Sequence, residues 1–272
     1  MRRKKYSAGS GNRPPHEGNP TSRRSLRLQL ADAKRAVLER GWLTEQDAPF
    51  QRAILERATV ESFPAGASVF HPGDYGSGIY GVVRGSFGVF VPSRGGEERL
   101  AHILQGGSWF GYGPIITRRQ RILGFAAVEP SVALHVPLGA LDKLATSDPG
   151  NLRALLTLRE YGMDIAIATV ADLLIPAVDK RIAATLLRCA AFSAAEPGRP
   201  LVVSGLTQAQ IGELANAARD VVNRTLKRLE AKGWIEVSYR KITLLDPPAL
   251  DSFCSSVGKL QQAPTAERCP PY

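Results

Sequence analysis

Cysteine is scarce in this chain. Three occur in 272 residues, and Cys189, Cys254 and Cys269 form no C-x-x-C pair and have no histidine at zinc-ligand spacing. Neither a disulfide framework nor a bound metal is therefore expected, and the pattern fits a reducing cytoplasm. No run of 18 apolar residues occurs, and no apolar segment follows the basic N-terminus. The expectation is a soluble, unsecreted protein with no membrane partner. P-loop, G-x-S-x-G, H-E-x-x-H and paired-carboxylate constellations are all missing. No enzymatic activity and no cofactor are expected.

What is present is positive charge, unevenly placed. The formal net charge is +10, and residues 1–27 carry eight cations (Arg2, Arg3, Lys4, Lys5, Arg13, Arg23, Arg24, Arg27) against Glu17 alone, which is +7. The segment 1–25 is rich in Gly, Pro, Ser and Asn without apolar periodicity, so a disordered tail is expected. It reads either as an arm adding non-specific affinity for polyphosphate or as a solvated extension.

The apolar pattern changes twice along the chain. Leu26, Leu30, Ala33, Val37 and Leu38 recur at helical spacing over Ser25–Trp42, and a second short helix is expected over Glu45–Ala58. From Gly66 to Gly113 the chain places 13 of its 26 glycines between short β-rich runs, ASVF, GIYGVV, FGVFV and RLAHIL, with SVALHVP later. Such spacing argues for an antiparallel barrel or roll. Helical periodicity then returns. Leu152, Leu156, Met163, Ile167, Val170 and Leu174 form an apolar seam along a helix of roughly 25 residues that needs a partner, read here as a second copy of the chain. Pro176 marks its end and a hinge.

After the hinge come a helix in KRIAATLLRCAAF, a short strand in RPLVVSG, and then TQAQIGELANAARDVVNRTLKRLEAKGWIEVSYRKITLL. Thr207 can cap a helix whose Ile211 and Leu214 face a core, Gly212 permits close crossing, and Asn216 suits a turn residue near αL. A second helix is expected over Arg219–Lys232, with Val222, Leu226 and Leu229 on its core face. Arg219, Asp220, Asn223 and Arg224 share the opposite face near its start. Arginine can pair with guanine O6 and N7 and aspartate can accept from cytosine N4, so this face can read base edges. Thr207 and Gln208 lie at the start of the first helix; Lys227, Arg228 and Lys232 lie nearer phosphates; Tyr239, Arg240 and Lys241 sit at a hairpin tip.

These residues resemble the Crp/Fnr family of bacterial transcription regulators, that of the cyclic-AMP receptor protein. The resemblance covers roughly Phe63 to Asp246 and rests on FPAGASVFHPGDYGSGIYGVVRGSFGVF, GSWFG, KRIAATLLRC and LTQAQIGELANAARDVVNRTLKRLEAKGWI. It implies an α+β fold: a cyclic-nucleotide-binding-type β-roll (26–148), a long dimerisation helix and hinge (149–176), and a winged helix-turn-helix (177–250), flanked by tails at 1–25 and 251–272. It further implies a homodimer that binds a two-fold symmetric duplex and works with RNA polymerase, with Arg219, Asp220 and Arg224 as base-reading residues. Two positions depart from the family. Asp220 stands where glutamate is usual, and Ala218 where a serine cap is usual, which forgoes about 1 kcal/mol.

The same resemblance assigns a ligand loop to Gly111, Tyr112, Arg121 and Ile122. Members that bind cyclic AMP have glutamate at the position of Tyr112, arginine at that of Arg121 and serine or alanine at that of Ile122. Losing the carboxylate and the hydroxyl would weaken nucleotide binding by about 2–4 kcal/mol. The residues leave three readings: a cyclic nucleotide, a different effector in a remodelled pocket, or no small effector. Arg118 and Arg119 read as solvated cations. The family's iron–sulfur option lacks its N-terminal cysteines here, and haem through His71 or His102 competes with an ordinary structural histidine. A module sensing nucleotide and acting through protein contacts is the alternative to a DNA-binding regulator.

Overall fold

The structure, a computed structural model, describes residues 29–190 and 201–255. The basic tail at 1–25 and the chain beyond Ser255 lie outside the described residues. Helix α1 (29–36) and a 3-10 turn, Trp42–Glu45, lead into α2 (Ala48–Glu56). Asp47 caps α2 by accepting from the Phe50 amide at 2.7 Å, and Pro49 occupies a first-turn position where no intrahelical donor is needed.

Eight strands follow: β1 (Thr59–Phe63), β2 (Ser68–Phe70), β3 (Gly78–Arg84), β4 (Ser86–Pro92), β5 (Glu98–Gln105), β6 (Trp109–Phe110), β7 (Gly124–Ala127) and β8 (Ser131–Pro137). They form two antiparallel four-stranded sheets, ordered β1-β8-β3-β6 and β2-β7-β4-β5. The expected roll is therefore present, and strands β1, β6 and β7, too short or too weakly patterned to be read in the sequence, complete it. Its interior is aromatic. Phe70, Tyr80, Phe87, Phe110 and Phe125 are all buried between the sheets, and the rings of Phe110 and Phe125 stack with centroids 4.8 Å apart.

Three helices adjoin the roll: α3 (Gly113–Thr117), α4 (Leu138–Ser147) and α5 (Pro149–Leu173). Asp148 caps α5 through the Gly150 amide, with Pro149 at the first helical position. Leu155 and Leu158 of α5 are buried in a core shared with Trp42, Phe50, Trp109 and Leu141. The seam noted in the sequence faces the other way. Leu152, Leu156, Met163, Ile167, Val170 and Leu174 are all exposed, Leu174 to 74%.

Beyond the hinge lie α6 (Val178–Ala190), β9 (Leu201–Ser204), α7 (Gln208–Leu214), α8 (Arg219–Ala231), β10 (Ile235–Ser238), β11 (Lys241–Leu244) and α9 (Pro247–Ser255). The three strands form one antiparallel sheet in the order β10-β11-β9. Helix α9 runs through the boundary expected at residue 250. Leu250 is fully buried and the Phe253 ring lies 5.7 Å from Trp234, so the C-terminal domain extends to at least Ser255. The core of this domain also takes in Leu100, Ile103 and Val128 from the roll, so the roll and the C-terminal domain pack against each other.

Candidate nucleic-acid interface and sensor site

The reader is built from local chemistry. Thr207 and Gln210 form a reciprocal capping box at the start of α7, which satisfies two amides that the helix leaves open. The chain then turns through Asn216 at φ 46°. The Ala217 amide donates to Gly212 O at 2.8 Å, and a Cβ at position 212 would stand 2.5 Å from Ala217 O. Only glycine permits this crossing. Helix α8 starts at Arg219 with Ala218 giving no side-chain cap. Val222, Leu226 and Leu229 are buried beneath it.

On the outer face, Gln208, Arg219, Asp220, Asn223 and Arg224 line one open cleft. Asn223 Nδ2 donates to Gln208 Oε1 at 3.2 Å, which joins the two helices, and Arg224 Nη2 lies 3.2 Å from Asp220 Oδ2, one helical turn away. Arg219, Asp220, Arg224 and Lys227 are exposed. The other cations expected at phosphates are differently employed. Arg228 pairs with Asp179 of α6, and Lys232 lies 4.2 Å over the Trp234 ring. At the hairpin tip Tyr239 is 91% exposed and Lys241 is exposed. Arg240 is not a free cation at that tip. Its guanidinium donates to Gly205 O at 2.7 Å and to Val128 O at 3.0 Å, so it holds the wing against the roll.

That contact belongs to a larger lock with little local signal in the sequence. Glu129 Oε1 accepts from Ser86 Oγ at 2.7 Å and from Ser204 Oγ at 3.0 Å, and Glu213 Oε1 accepts from the Leu100 amide at 2.9 Å. Arg188 of α6 donates through Nε to Asp172 of α5 at 2.7 Å, and its Nη1 lies 2.7 Å from His102 Nδ1. Burial, reinforced by the Arg188 charge, pulls His102 down to about 3, so the imidazole is neutral and Nδ1 is the acceptor. Burial pushes the Asp172 carboxyl above its ordinary value against the pull of Arg188. Arg181 donates to Ile175 O, Ala215 O and Asn216 O, which ties the hinge to the turn between α7 and α8.

In the sensor, Gly111 takes φ 91°, and Arg121 lies alongside it. Arg121 is only 6% exposed. It donates from Nη1 to Gly111 O at 3.0 Å and from Nη2 to Gly78 O at 3.1 Å, and its guanidinium carbon sits 3.6 Å from the Phe70 ring centre. Burial lowers its pKa, yet a guanidinium remains charged, and here backbone oxygens and an aromatic face surround that charge. Ile122 points outward and is 76% exposed. Tyr112 is half-buried and its hydroxyl lies over Gly162 of α5; burial raises its pKa. The four loop residues are thus close in sequence, but Ile122 diverges from the other three. Arg118, expected to be solvated, forms a two-pronged pair with Asp142 while remaining exposed. His71 is exposed, 3.7 Å from Glu98. No described helix is long and apolar enough to cross a membrane.

Comparison with known proteins agrees with this division. Residues 60–148 match the cyclic nucleotide-binding domain family and residues 180–253 match the Crp-like helix-turn-helix domain family. The chain is 26% identical over 199 residues to a CRP-like cAMP-activated global transcriptional regulator of Mycobacterium tuberculosis, covering 73% of this chain and 89% of that one. It is 23% identical over 200 residues to the cAMP-activated global transcriptional regulator CRP of Salmonella typhimurium, covering 73% and 95%. Among solved structures, FixK2 from Bradyrhizobium japonicum superposes with a TM-score of 0.64 at 18% identity, covering 74% of this chain and 99% of that one. A CRP/FNR-family transcriptional regulator from Thermus thermophilus gives 0.55 at 24%, covering 73% and 100%. With a cyclic-nucleotide-binding-type roll, a long connecting helix and a helix-turn-helix in this order, the chain belongs to the Crp/Fnr family of transcriptional regulators.

Proposed function

We propose that two copies of this chain, joined along the exposed seam of α5, read a two-fold symmetric duplex through Arg219, Asp220 and Arg224 without needing cyclic AMP. The open cleft on α8 carries the reading: two arginines and an aspartate stand exposed at the start of a helix whose opposite face is core. The seam supports the dimer. Five large apolar side chains on one exposed stripe of a 25-residue helix, continued by Leu174 at its C-cap, are unfavourable in water and match the geometry of a two-fold helix pair.

Independence from cyclic AMP is supported by the direction of Arg121, which turns into the roll and spends two donors on backbone oxygens. The cavity of about 390 Å³ beside it has no carboxylate in its wall to accept from a ribose hydroxyl. A cytoplasmic regulator acting on RNA polymerase fits this reading. So does Asp220, one methylene shorter than the family's glutamate, as a determinant of half-site sequence.

The test is selection of bound duplexes from a random pool at near-physiological salt, with and without cyclic AMP. The reading expects one symmetric site, with half-sites about one helical turn (roughly 34–36 Å) apart, to emerge in both arms. It also expects Arg219→Ala with Arg224→Ala to abolish enrichment. Undiminished enrichment by the double variant would sink the DNA-reading assignment, and a site found only with cyclic AMP would sink the independence.

A further inference from the structure

A cavity of about 360 Å³ lies between the roll and α5, within the size range of small-molecule sites. Leu104, Leu123 and Phe125 line it from the roll, Leu158 and Ile165 from α5, and Val170 of the exposed seam borders it as well. None of its lining residues is Lys, Arg, Asp or Glu. An ionised ligand would lose its hydration there and gain no counter-charge. His102, which also lines it, is held neutral by burial and Arg188.

Two polar groups in this wall have no use in the described structure. Ser108 is 6% exposed and Trp109 is 5% exposed; both line the cavity. Ser108 Oγ and Trp109 Nε1 are buried without a hydrogen-bond partner among the described residues. A buried donor left unpaired costs about 1–3 kcal/mol, and a ligand acceptor placed against it recovers that loss. Tyr112, Leu123, Phe125, Gly162 and Ala166 line both this cavity and a second one of about 390 Å³ beside Arg121, so the two adjoin. They differ in charge: Arg119, Arg121 and Arg159 line only the second.

We propose that this cavity is the binding site of an uncharged, largely aliphatic molecule carrying one hydrogen-bond acceptor, a carbonyl oxygen, that accepts a hydrogen bond from the hydroxyl of Ser108. The proposal goes beyond the reading of the reader domain and does not depend on it, because binding is measured directly on the full-length protein.

Calorimetry and tryptophan emission would be followed while titrating 2-decanone, with decane, decanoate and cyclic AMP titrated in parallel. The expected result is saturable binding of 2-decanone, weaker binding of decane, and none of decanoate. Ser108→Ala should weaken the ketone about 5- to 10-fold, as loss of one hydrogen bond requires, and leave decane unchanged. Ala166→Phe, which narrows the cavity from an exposed helix position that lines it, should abolish ketone binding. Thermal melts of both variants would check that each remains folded. Absence of saturable ketone binding to the wild-type protein would overturn the proposal, as would ketone binding untouched by either variant or tighter binding of decanoate. Saturable binding of cyclic AMP alone would overturn the sensor reading given above as well; failure of duplex selection alone would leave this site standing.

Discussion

The hydroxyl of Tyr112 occupies the space that a side chain at Gly162 would need: a Cβ built there falls 1.4 Å from that oxygen. The chain after β6 thus meets the long helix at Gly162, where any side chain requires the Tyr112 ring to move. Alanine ordinarily favours a helix over glycine by about 1 kcal/mol. At this position overpacking outweighs that gain, and Gly162→Ala is expected to destabilise by about 1–3 kcal/mol. With Tyr112→Ala in the same chain the collision disappears, and the alanine at 162 should become neutral or stabilising. Chemical denaturation of the two single variants and the double variant measures this coupling; additive effects would show that the two residues do not meet.

Arg121 has a structural task that its position in the sequence does not reveal. Removing it leaves Gly111 O and Gly78 O without their charged donor and takes away the cation over Phe70. Arg121→Ala is expected to destabilise the nucleotide-free protein by about 2–4 kcal/mol. Saturating cyclic AMP should leave the wild-type Tm unchanged. If the variant melts like the wild type, and cyclic AMP raises only the wild-type Tm, Arg121 is a phosphate ligand and not a strut.

Arg240 and Lys241 adjoin in sequence and differ in employment. Lys241 is exposed, whereas Arg240 is bonded to Gly205 O and Val128 O. The dependence of duplex affinity on salt separates them, because each phosphate contact adds about one unit to the slope. Lys241→Ala is expected to lower the slope by about one for each subunit contact. Arg240→Ala should leave the slope unchanged and lower stability, since two buried carbonyls lose a charged donor. Equal slopes for both variants would show that the wing leaves the roll when duplex binds.

Much of the reader was legible because its determinants are local. Thr207 and Gln210 cap within one turn, Gly212 and Asn216 set the crossing, and the buried stripe of α8 follows the helical period. The alternation of strands in the roll was legible for the same reason. The two-residue β6 and the four-residue β7 were not, since segments that short carry no period. The direction of Arg121 depends on Gly78 and Phe70, which are distant in sequence, and the employment of Arg240 depends on Val128, 112 positions away. Spacing within one element carries no information about such partners. One trace existed for the lock: Arg188 lies among the apolar residues of KRIAATLLRC, and a cation on a buried face requires a partner.

The partners of Arg188 give the protein a pH dependence with a defined sign. His102 titrates near 6.5 when unfolded and at about 3 in the folded protein, where burial acts first and the Arg188 guanidinium second. A base whose folded pKa is depressed binds its proton more readily when unfolded, so stability is fully present above pH 6.5 and declines as pH falls toward 3. The decline amounts to about 1.4 kcal/mol per pH unit, or about 2 kcal/mol between pH 8 and pH 5. Asp172 works in the opposite direction at lower pH, because burial raises its pKa despite Arg188, so the comparison must be between the protein and a variant differing at His102 alone. His102→Gln keeps an acceptor for Arg188 and removes the titration. Urea denaturation at pH 8, 6.5 and 5 should show the wild-type protein losing about 2 kcal/mol more than this variant across the range. Parallel losses would mean that His102 takes up a proton in the folded state, and that the contact between α6 and the roll opens within the native protein.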